Sequence, residues 1–326
     1  MKIVSQQLRK DDRRIPIDRC HLYGIRSPHA LANRIGWNLA KLDQIAAYGA
    51  YRVYPHKQTG RMIQEPGAAL QSLHRQLHRY LARIEVPAYL HSAVKGRSYL
   101  SNARAHVGVG SLIKIDIAKF YQSVPQHKVM HFFRDSLNCA ADVAGLLANL
   151  ICFDGKLATG SSVSPIISYY AFKPLFDGLN ALAERHELVM TCYVDDVTIS
   201  GTGASGAVLH EVRTMIFRAG LRAHKDRLFT PDSAKIVTGV VVREVDIALP
   251  FSRWQKIKRA TRDLEECTDP AEKLRLYPKL VSRLYEAAQI DPQCRPRAEF
   301  HHAQWRALKR SVVASSSYVT EARLAA

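Results

Sequence analysis

The chain has 326 residues, 47% of them hydrophobic and 23% charged, the balance of an ordinary globular protein with length for about two domains. Its formal charge of +18 points to a polyanionic partner. Residues 1–100 carry 17 Lys/Arg against 6 Asp/Glu, residues 101–250 carry 15 against 14, and residues 251–326 carry 15 against 9. Basic ends around a near-neutral centre suit a clamp on nucleic acid with an acidic, metal-binding middle; a generally basic protein is the plainer alternative. The six cysteines (Cys20, Cys139, Cys152, Cys192, Cys267, Cys294) are scattered with no C-x-x-C. That spacing argues against a disulfide framework and a zinc site and suits reduced thiols in the cytoplasm. The start, MKIVSQQLRKDDRR, lacks the apolar core of a secretory signal. The longest apolar stretch, AADVAGLLANLICF, is too short to span a bilayer, so no membrane partner is expected.

In chain order, SPHALANRIGWNLAKLDQIAAY reads as one helix. Ser27 and Pro28 mark its start, and Leu31, Ile35, Leu39, Leu42 and Ile45 recur at helical spacing. YRVYPHKQTGRMIQEP alternates and turns at Thr59-Gly60, as a basic β-hairpin does. The next helix, GAALQSLHRQLHRYLARI, sets His74 and His78 at i, i+4, a metal-ligand spacing with no third ligand evident. Surface or nucleic-acid contact is therefore expected of this pair. SLIKIDIAKFY reads as a strand, followed by a helical region to about Phe153, the turn GKLATGSSVSP and the helix IISYYAFKPLFDGLNALAERH. A hairpin in TCYVDDVTIS, the helix GAVLHEVRTMIFRAG and short strands in KIVTGVVV and IALPF come next. In RWQKIKRATRDLEE, Trp254, Ile257, Thr261 and Leu264 share one face and Arg253, Lys256, Arg259 and Arg262 take much of the rest. A boundary is expected near residue 250, with helices beyond it.

Asp195 and Asp196 stand side by side in a strand-like run, where Asp is otherwise depleted. Two such carboxylates repel by roughly 3 kcal/mol at ~6 Å and an effective dielectric of about 20. A hairpin turn accommodates them; so does a Mg²⁺ site at the hairpin tip. Asp116 ends an apolar strand about 80 residues earlier. That separation leaves room for a helical unit that returns the chain alongside, so the two strands would neighbour each other in an antiparallel sheet. Three carboxylates would then meet at one edge, the cluster that a two-metal site needs. Small residues in TGSSVSP would let a substrate approach the backbone closely.

IDIAKFY, ATGSSVSP, YVDD and HKDRLF, in that order, resemble the palm motifs of reverse transcriptases, and RMIQEP resembles the Arg-x-Ile-x-x-Pro hairpin of their fingers. The similarity covers roughly residues 45 to 250. Asn-Ala-x-x-His at Asn102, Ala103 and His106, and Val-Thr-Gly at Val237, Thr238 and Gly239, narrow the resemblance to bacterial retron reverse transcriptases. The resemblance implies an α/β (α+β) right-hand polymerase fold. Residues 1–45 would be an N-terminal helical extension, 46–250 the fingers and antiparallel-sheet palm, and 251–326 a small helical thumb and C-terminal region.

It also implies roles. Asp116, Asp195 and Asp196, with the backbone carbonyl of Ile117, would hold two Mg²⁺ ions, with Mn²⁺ as a possible substitute. Tyr121 would be a steric gate against the ribose 2′-hydroxyl, with core packing as its alternative. Arg61, helped by Lys57, would clamp the triphosphate of the incoming deoxynucleotide. Lys225 would give a proton to the leaving pyrophosphate, with a solvated loop lysine as its alternative. Thr159-Gly160 would line the nucleotide pocket, although the family usually has Gln-Gly there, which puts the role of position 159 in doubt. Asn102, His106, Val237, Thr238, Gly239, Arg253, Lys256 and Arg259 would recognise RNA, while Asn102 and His106 would equally serve to brace the turn before the Asp116 strand. The implied activity is RNA-directed DNA synthesis on a cognate retron non-coding RNA, primed from a guanosine 2′-hydroxyl and giving branched msDNA. A place in antiphage defence beside a separately encoded effector protein is implied too. The alternatives are a group II intron-like or other bacterial reverse transcriptase, and an RNA- or msDNA-binding antitoxin scaffold on a polymerase fold.

Overall fold

The computed structural model describes residues 14–48, 51–108 and 110–324; the first thirteen residues, read above for a leader, lie outside them. The chain divides into two compact units between Ser233 and Ala234.

In the first unit, α1 (Pro28–Ile35) starts at Ser27, whose hydroxyl accepts from the Ala30 N–H at 3.2 Å. The single helix expected here is two. Gly36 takes the left-handed conformation at φ 69° and ends α1, and the Asn38 side chain, accepting from the Lys41 N–H, starts α2 (Leu39–Tyr48). The basic hairpin forms from β1 (Tyr51–Pro55) and β2 (Met62–Pro66), with Gly60 at φ 66° in its turn. α3 (Ala68–Leu81) buries Leu70, Leu73, His74, Leu77 and Leu81 along one stripe. His74 is therefore a core residue, not the surface contact expected of it. Its Nε2–H donates to the Leu150 carbonyl at 2.8 Å and its Nδ1 accepts from the Ser161 hydroxyl at 2.7 Å. Burial brings its pKa down to about 4, which keeps the ring neutral.

After the short α4 (Tyr99–Arg104) comes β3 (Ser111–Ile117), then a 3₁₀ turn at Phe120–Ser123, α5 (Gln126–His131) and α6 (Ala141–Ile151). The two-residue strands β4 (Cys152–Phe153) and β5 (Lys156–Leu157) lead to α7 (Ser164–Ala171) and α8 (Lys173–Arg185). These too were expected as one helix. Pro174 in the first turn of α8 supplies no N–H to continue the helical ladder back to the Tyr170 carbonyl, and the break falls at Phe172. β6 (Val189–Tyr193), β7 (Asp196–Gly201), α9 (Gly206–Arg218) and β8 (Ala223–Phe229) complete the unit.

The four long strands make one antiparallel sheet in the order β6-β7-β3-β8. Alternation decides its two faces. Ile113, Ile115, Ile117, Val197, Ile199, Met190 and Cys192 point into the core, each contributing about 2 kcal/mol by removal from water. Lys114, Asp116, Asp196 and Thr198 lie on the opposite face.

The second unit holds β9 (Lys235–Val237), β10 (Val240–Val242) and β11 (Ile247–Ala248) in the order β11-β10-β9, then α10 (Phe251–Glu266), α11 (Pro270–Ala287) and α12 (Cys294–Leu324). Of the face read from α10, Ile257 and Leu264 are buried and Trp254 and Thr261 half-buried. Leu249 lies in the helical core of this unit. Among the described residues five cysteines are buried and Cys267 is half-exposed, all unbridged, and no helix is long and apolar enough to cross a membrane.

Candidate active site

The register of the sheet assembles the acidic cluster. Asp116 on β3 is directly opposite Asp196 on β7, and Asp195 sits beside them in the two-residue loop between β6 and β7. The Ile117 N–H donates to the Asp195 carbonyl at 2.9 Å, which ties the loop to the end of β3. Val194, the other loop residue, has φ 60°. A β-branched residue rarely adopts that conformation, and it stores on the order of 1–3 kcal/mol of strain. The Val194 N–H donates to the Ser92 hydroxyl at 2.9 Å, fixing the strained loop from outside the sheet.

The electrostatics match this crowding. Burial, with the charges of Asp116 and Asp196 adding to it and Arg61 opposing, pushes the Asp195 carboxyl up to about 6. Asp196 is raised as well, chiefly by burial, while Lys114 and Lys225 pull it down. Lys114 Nζ lies 3.3 Å from Asp196 Oδ2, a partner that sequence reading missed. Its signal was present: Lys114 stands two residues before Asp116, hence on the same face of the strand. Lys225 is an exposed residue of β8, not of a loop. At φ 49° it sits in a bulge between the pairs Lys114↔Arg227 and Asp116↔His224.

Among the described residues no three His, Cys, Asp or Glu side chains close around a metal-sized point. The donor chemistry nevertheless fits a hard divalent cation. Asp116, Asp195 and Asp196 offer oxygen ligands, and the raised Asp195 and Asp196 mark negative charge that the protein leaves only partly balanced.

Beside the cluster a pocket is lined by Arg61, Lys119, Phe120, Tyr121, Gln122, Thr159, Val194 and Asp195. Tyr121 is half-buried on the 3₁₀ turn and stacks on Phe120 at 6.3 Å. Burial, reinforced by the Asp195 charge, holds its hydroxyl well above the usual phenol range. Lys57 is exposed in the hairpin turn and does not line this pocket. Lys119 and Gln122 do, though no sequence argument had singled them out. Gly160 is required by a close approach, since a Cβ there would meet the Gln64 carbonyl oxygen at 2.6 Å.

Several residues expected to read RNA have other surroundings. Asn102 and His106 are buried, so neither side chain presents a surface to RNA. His106 instead bridges β6 and β7, with Nε2 2.7 Å from the Thr191 hydroxyl and Nδ1 2.7 Å from that of Ser200. Burial drives its pKa down to about 3 and keeps it neutral. The Asn102 carboxamide finds no protein hydrogen-bond partner among the described residues. Val237 is buried too. Thr238 and Gly239, at φ 45° and 76°, form the tight turn joining β9 to β10. The Arg253 guanidinium lies 3.1 Å from where a Gly239 Cβ would be, and it pairs with Glu286 at 3.0 Å. Lys256 and Arg259 are exposed on α10, and Arg259 lines a groove with Trp254, Lys258, Arg262 and Arg297.

An antiparallel sheet carries these carboxylates at one end of its two central strands, beside a basic and aromatic pocket, and by sequence the chain is similar to reverse transcriptases. More narrowly, it is similar to those of retrons. It is 29% identical to the Retron Se72 reverse transcriptase of Salmonella heidelberg, over 54% of this chain and 48% of that one. It is 26% identical to the Retron Mx162 reverse transcriptase of Myxococcus xanthus, over 70% of this chain and 55% of the relative. With the Retron Ec86 reverse transcriptase of Escherichia coli it shares 25% identity over 70% of this chain and 74% of the relative. The chain thus spans about half the length of the first two relatives. No profile of a known protein family matches it. A solved foamy viral protease–reverse transcriptase in complex with double-stranded DNA overlaps 76% of this chain and 39% of its own at 14% identity, with a TM-score of 0.41.

Proposed function

We propose that the protein is an RNA-directed DNA polymerase of the retron type, copying part of a cognate structured RNA into branched msDNA. The observation that carries this reading is the register that sets Asp116 opposite Asp196, with Asp195 beside them at the mouth of the pocket holding Arg61 and Tyr121. In it, Asp116 and Asp195, completed by Asp196 and the Ile117 carbonyl, hold Mg²⁺ or Mn²⁺. When bound, such ions supply positive charge for activating the primer hydroxyl and stabilising the leaving oxygen. Arg61 grips the triphosphate of a deoxynucleotide through charge-assisted, planar hydrogen bonds. The Tyr121 ring limits the room available to a 2′-hydroxyl. Lys225, exposed beside the cluster, donates a proton toward pyrophosphate.

RNA is engaged by the exposed basic residues Lys256 and Arg259, by Arg253, and by the Thr238-Gly239 turn. Asn102 and His106 act behind the site as braces. In this reading the right-hand polymerase fold has its N-terminal extension in residues 1–45, its fingers and palm in 46–250, and its thumb in the helices from Phe251 onward. The net charge of +18 supports a nucleic-acid partner. The likeness to retron enzymes supports a cytoplasmic setting and a defence system with a separately encoded effector.

Primer extension beside RNA binding tests the assignment. Asp195→Asn and Asp196→Asn, singly and together, should cut DNA synthesis by about 10³-fold or more. RNA affinity should stay within about twofold, since phosphate contacts reside elsewhere. Full synthesis by the double variant would sink the reading.

A further inference from the structure

β2 crosses the edge of the pocket beside Thr159-Gly160, and one side chain joins the two. The Gln64 Oε1 accepts from the Thr159 N–H at 3.1 Å and from the Thr159 hydroxyl at 2.7 Å. The Gln64 N–H donates back to Thr159 Oγ1 at 3.2 Å, and the Gly160 N–H donates to the Gln64 carbonyl at 3.0 Å. Because a backbone N–H can only donate, the carboxamide orientation is fixed chemically: its oxygen faces Thr159 and its nitrogen faces away. The missing Cβ of Gly160 completes the fit, since a methyl there would meet the Gln64 carbonyl oxygen at 2.6 Å.

The Thr159 hydroxyl also lies 3.4 Å from the Met62 carbonyl, and the contact with β2 matters because the outer hairpin is otherwise open to solvent. Residues 52–62 are exposed throughout. The hairpin is anchored at its base, where Pro66 is buried and the Tyr51 hydroxyl donates to the Leu150 and Ile151 carbonyls. The Arg52–Glu65 ion pair at 2.6 Å joins the two strands to each other and not to the body of the unit. Arg61 lies three residues beyond Gln64 toward the tip, about 10 Å along the strand, yet its side chain lines the pocket. A strand exposed over that length keeps a side chain in place only if something between base and tip is fastened.

We propose that Gln64 is a latch: through Thr159 and Gly160 it fastens the β1–β2 hairpin to the rim of the nucleotide pocket and so positions Arg61 over it. Gln64 is a positioning residue that acts through Arg61, and the short hydroxyl side chain at 159 is its receptor. The inference deepens the polymerase reading, on which its kinetic part rests.

The test compares Gln64→Ala, Thr159→Val and the exchanged pair Gln64→Thr with Thr159→Gln in the full-length protein. Loss of two neutral hydrogen bonds corresponds to about tenfold in an equilibrium. Gln64→Ala should therefore raise the KM for deoxynucleotides about tenfold while kcat changes less than about threefold. Thr159→Val should shift KM the same way. The exchanged pair, which restores a carboxamide and a hydroxyl across the same gap, should recover most of the loss. Hydrogen exchange supplies a readout independent of catalysis: amides of residues 61–65 should exchange about tenfold faster in Gln64→Ala, with β3 and β7 unchanged. Unchanged KM together with unchanged exchange over residues 61–65 would overturn the latch, as would uniform acceleration across the whole unit. A wild-type protein that makes no DNA would defeat the polymerase reading, while the exchange pattern would still decide the latch.

Discussion

With burial and two neighbouring carboxylates holding the Asp195 carboxyl up at about 6, keeping it ionised at neutral pH costs free energy in the folded state. Its folded pKa lies above the ordinary 3.8, so the folded chain binds the proton more tightly than the unfolded one between those values. Stability from this residue is then fully present below about pH 4 and is lost as pH rises through about 6. After allowance for solvent screening of a half-exposed group, the loss is on the order of 2 kcal/mol. Asp195→Asn should therefore unfold a few degrees higher than wild type at pH 7.5 in chelator. The two should converge near pH 4. Thermal midpoints across that range decide it, and a variant less stable than wild type at pH 7.5 would contradict the argument. Lys114, on the same face of β3 as Asp116, offsets part of the same repulsion at Asp196.

The hairpin of β6 and β7 carries that strained loop, and His106 clasps its two strands through Thr191 and Ser200. His106→Ala leaves a cavity and strips a partner from the buried Thr191 hydroxyl, at a cost of about 2–4 kcal/mol. The expected outcome is a lower urea midpoint and equal loss of synthesis on the cognate RNA and on a generic primed template. A loss confined to the cognate RNA would restore the direct recognition that the Asn-Ala-x-x-His residues suggest. The sequence offered no means of choosing, because the partners of His106 lie 85 and 94 residues away. What was legible is local or periodic: the alternation of SLIKIDI, the turn at Thr59-Gly60, the YVDD hairpin, and the pairing of the Asp116 strand with it. The breaks at Gly36 and Phe172 were legible in principle from a glycine and a proline inside helical runs, yet hydrophobic spacing continues through both and hides them. The bulge at Lys225 and the Gln64–Thr159 contact exist only between strands and loops distant in sequence.

At the scale of the whole molecule, the charge of +18 resides mostly in residues 1–100 and 251–326, whereas the four-stranded sheet is drawn from the near-neutral centre. Affinity for RNA should then be an ionic property largely separable from the pocket. For about six phosphate contacts on single-stranded RNA, log affinity should fall against log salt with a slope of about −4, or about 10²-fold between 50 and 200 mM. Replacing the exposed Lys256 and Arg259 by glutamine should reduce the slope by about 1.4, near 0.7 per charge, and leave the KM for deoxynucleotides unaltered. Filter binding across a salt series measures this. A slope near zero would remove the phosphate backbone as the main source of affinity.

The facing of Asp116 and Asp196 across β3 and β7 also restricts how this gene can vary in length. Side chains on a strand alternate, so adding or deleting one codon between Lys114 and Asp116 would turn the carboxylate in among Ile113 and Ile115. Two added codons would return it to the proper face but about 7 Å from its counterpart. Point substitutions can accumulate along these strands one at a time, whereas changes in their length meet a barrier of parity and then one of distance. Insertions and deletions that distinguish such proteins should consequently collect in the connections between strands, and the number of residues from the start of β3 to its aspartate should vary as little as the aspartate itself.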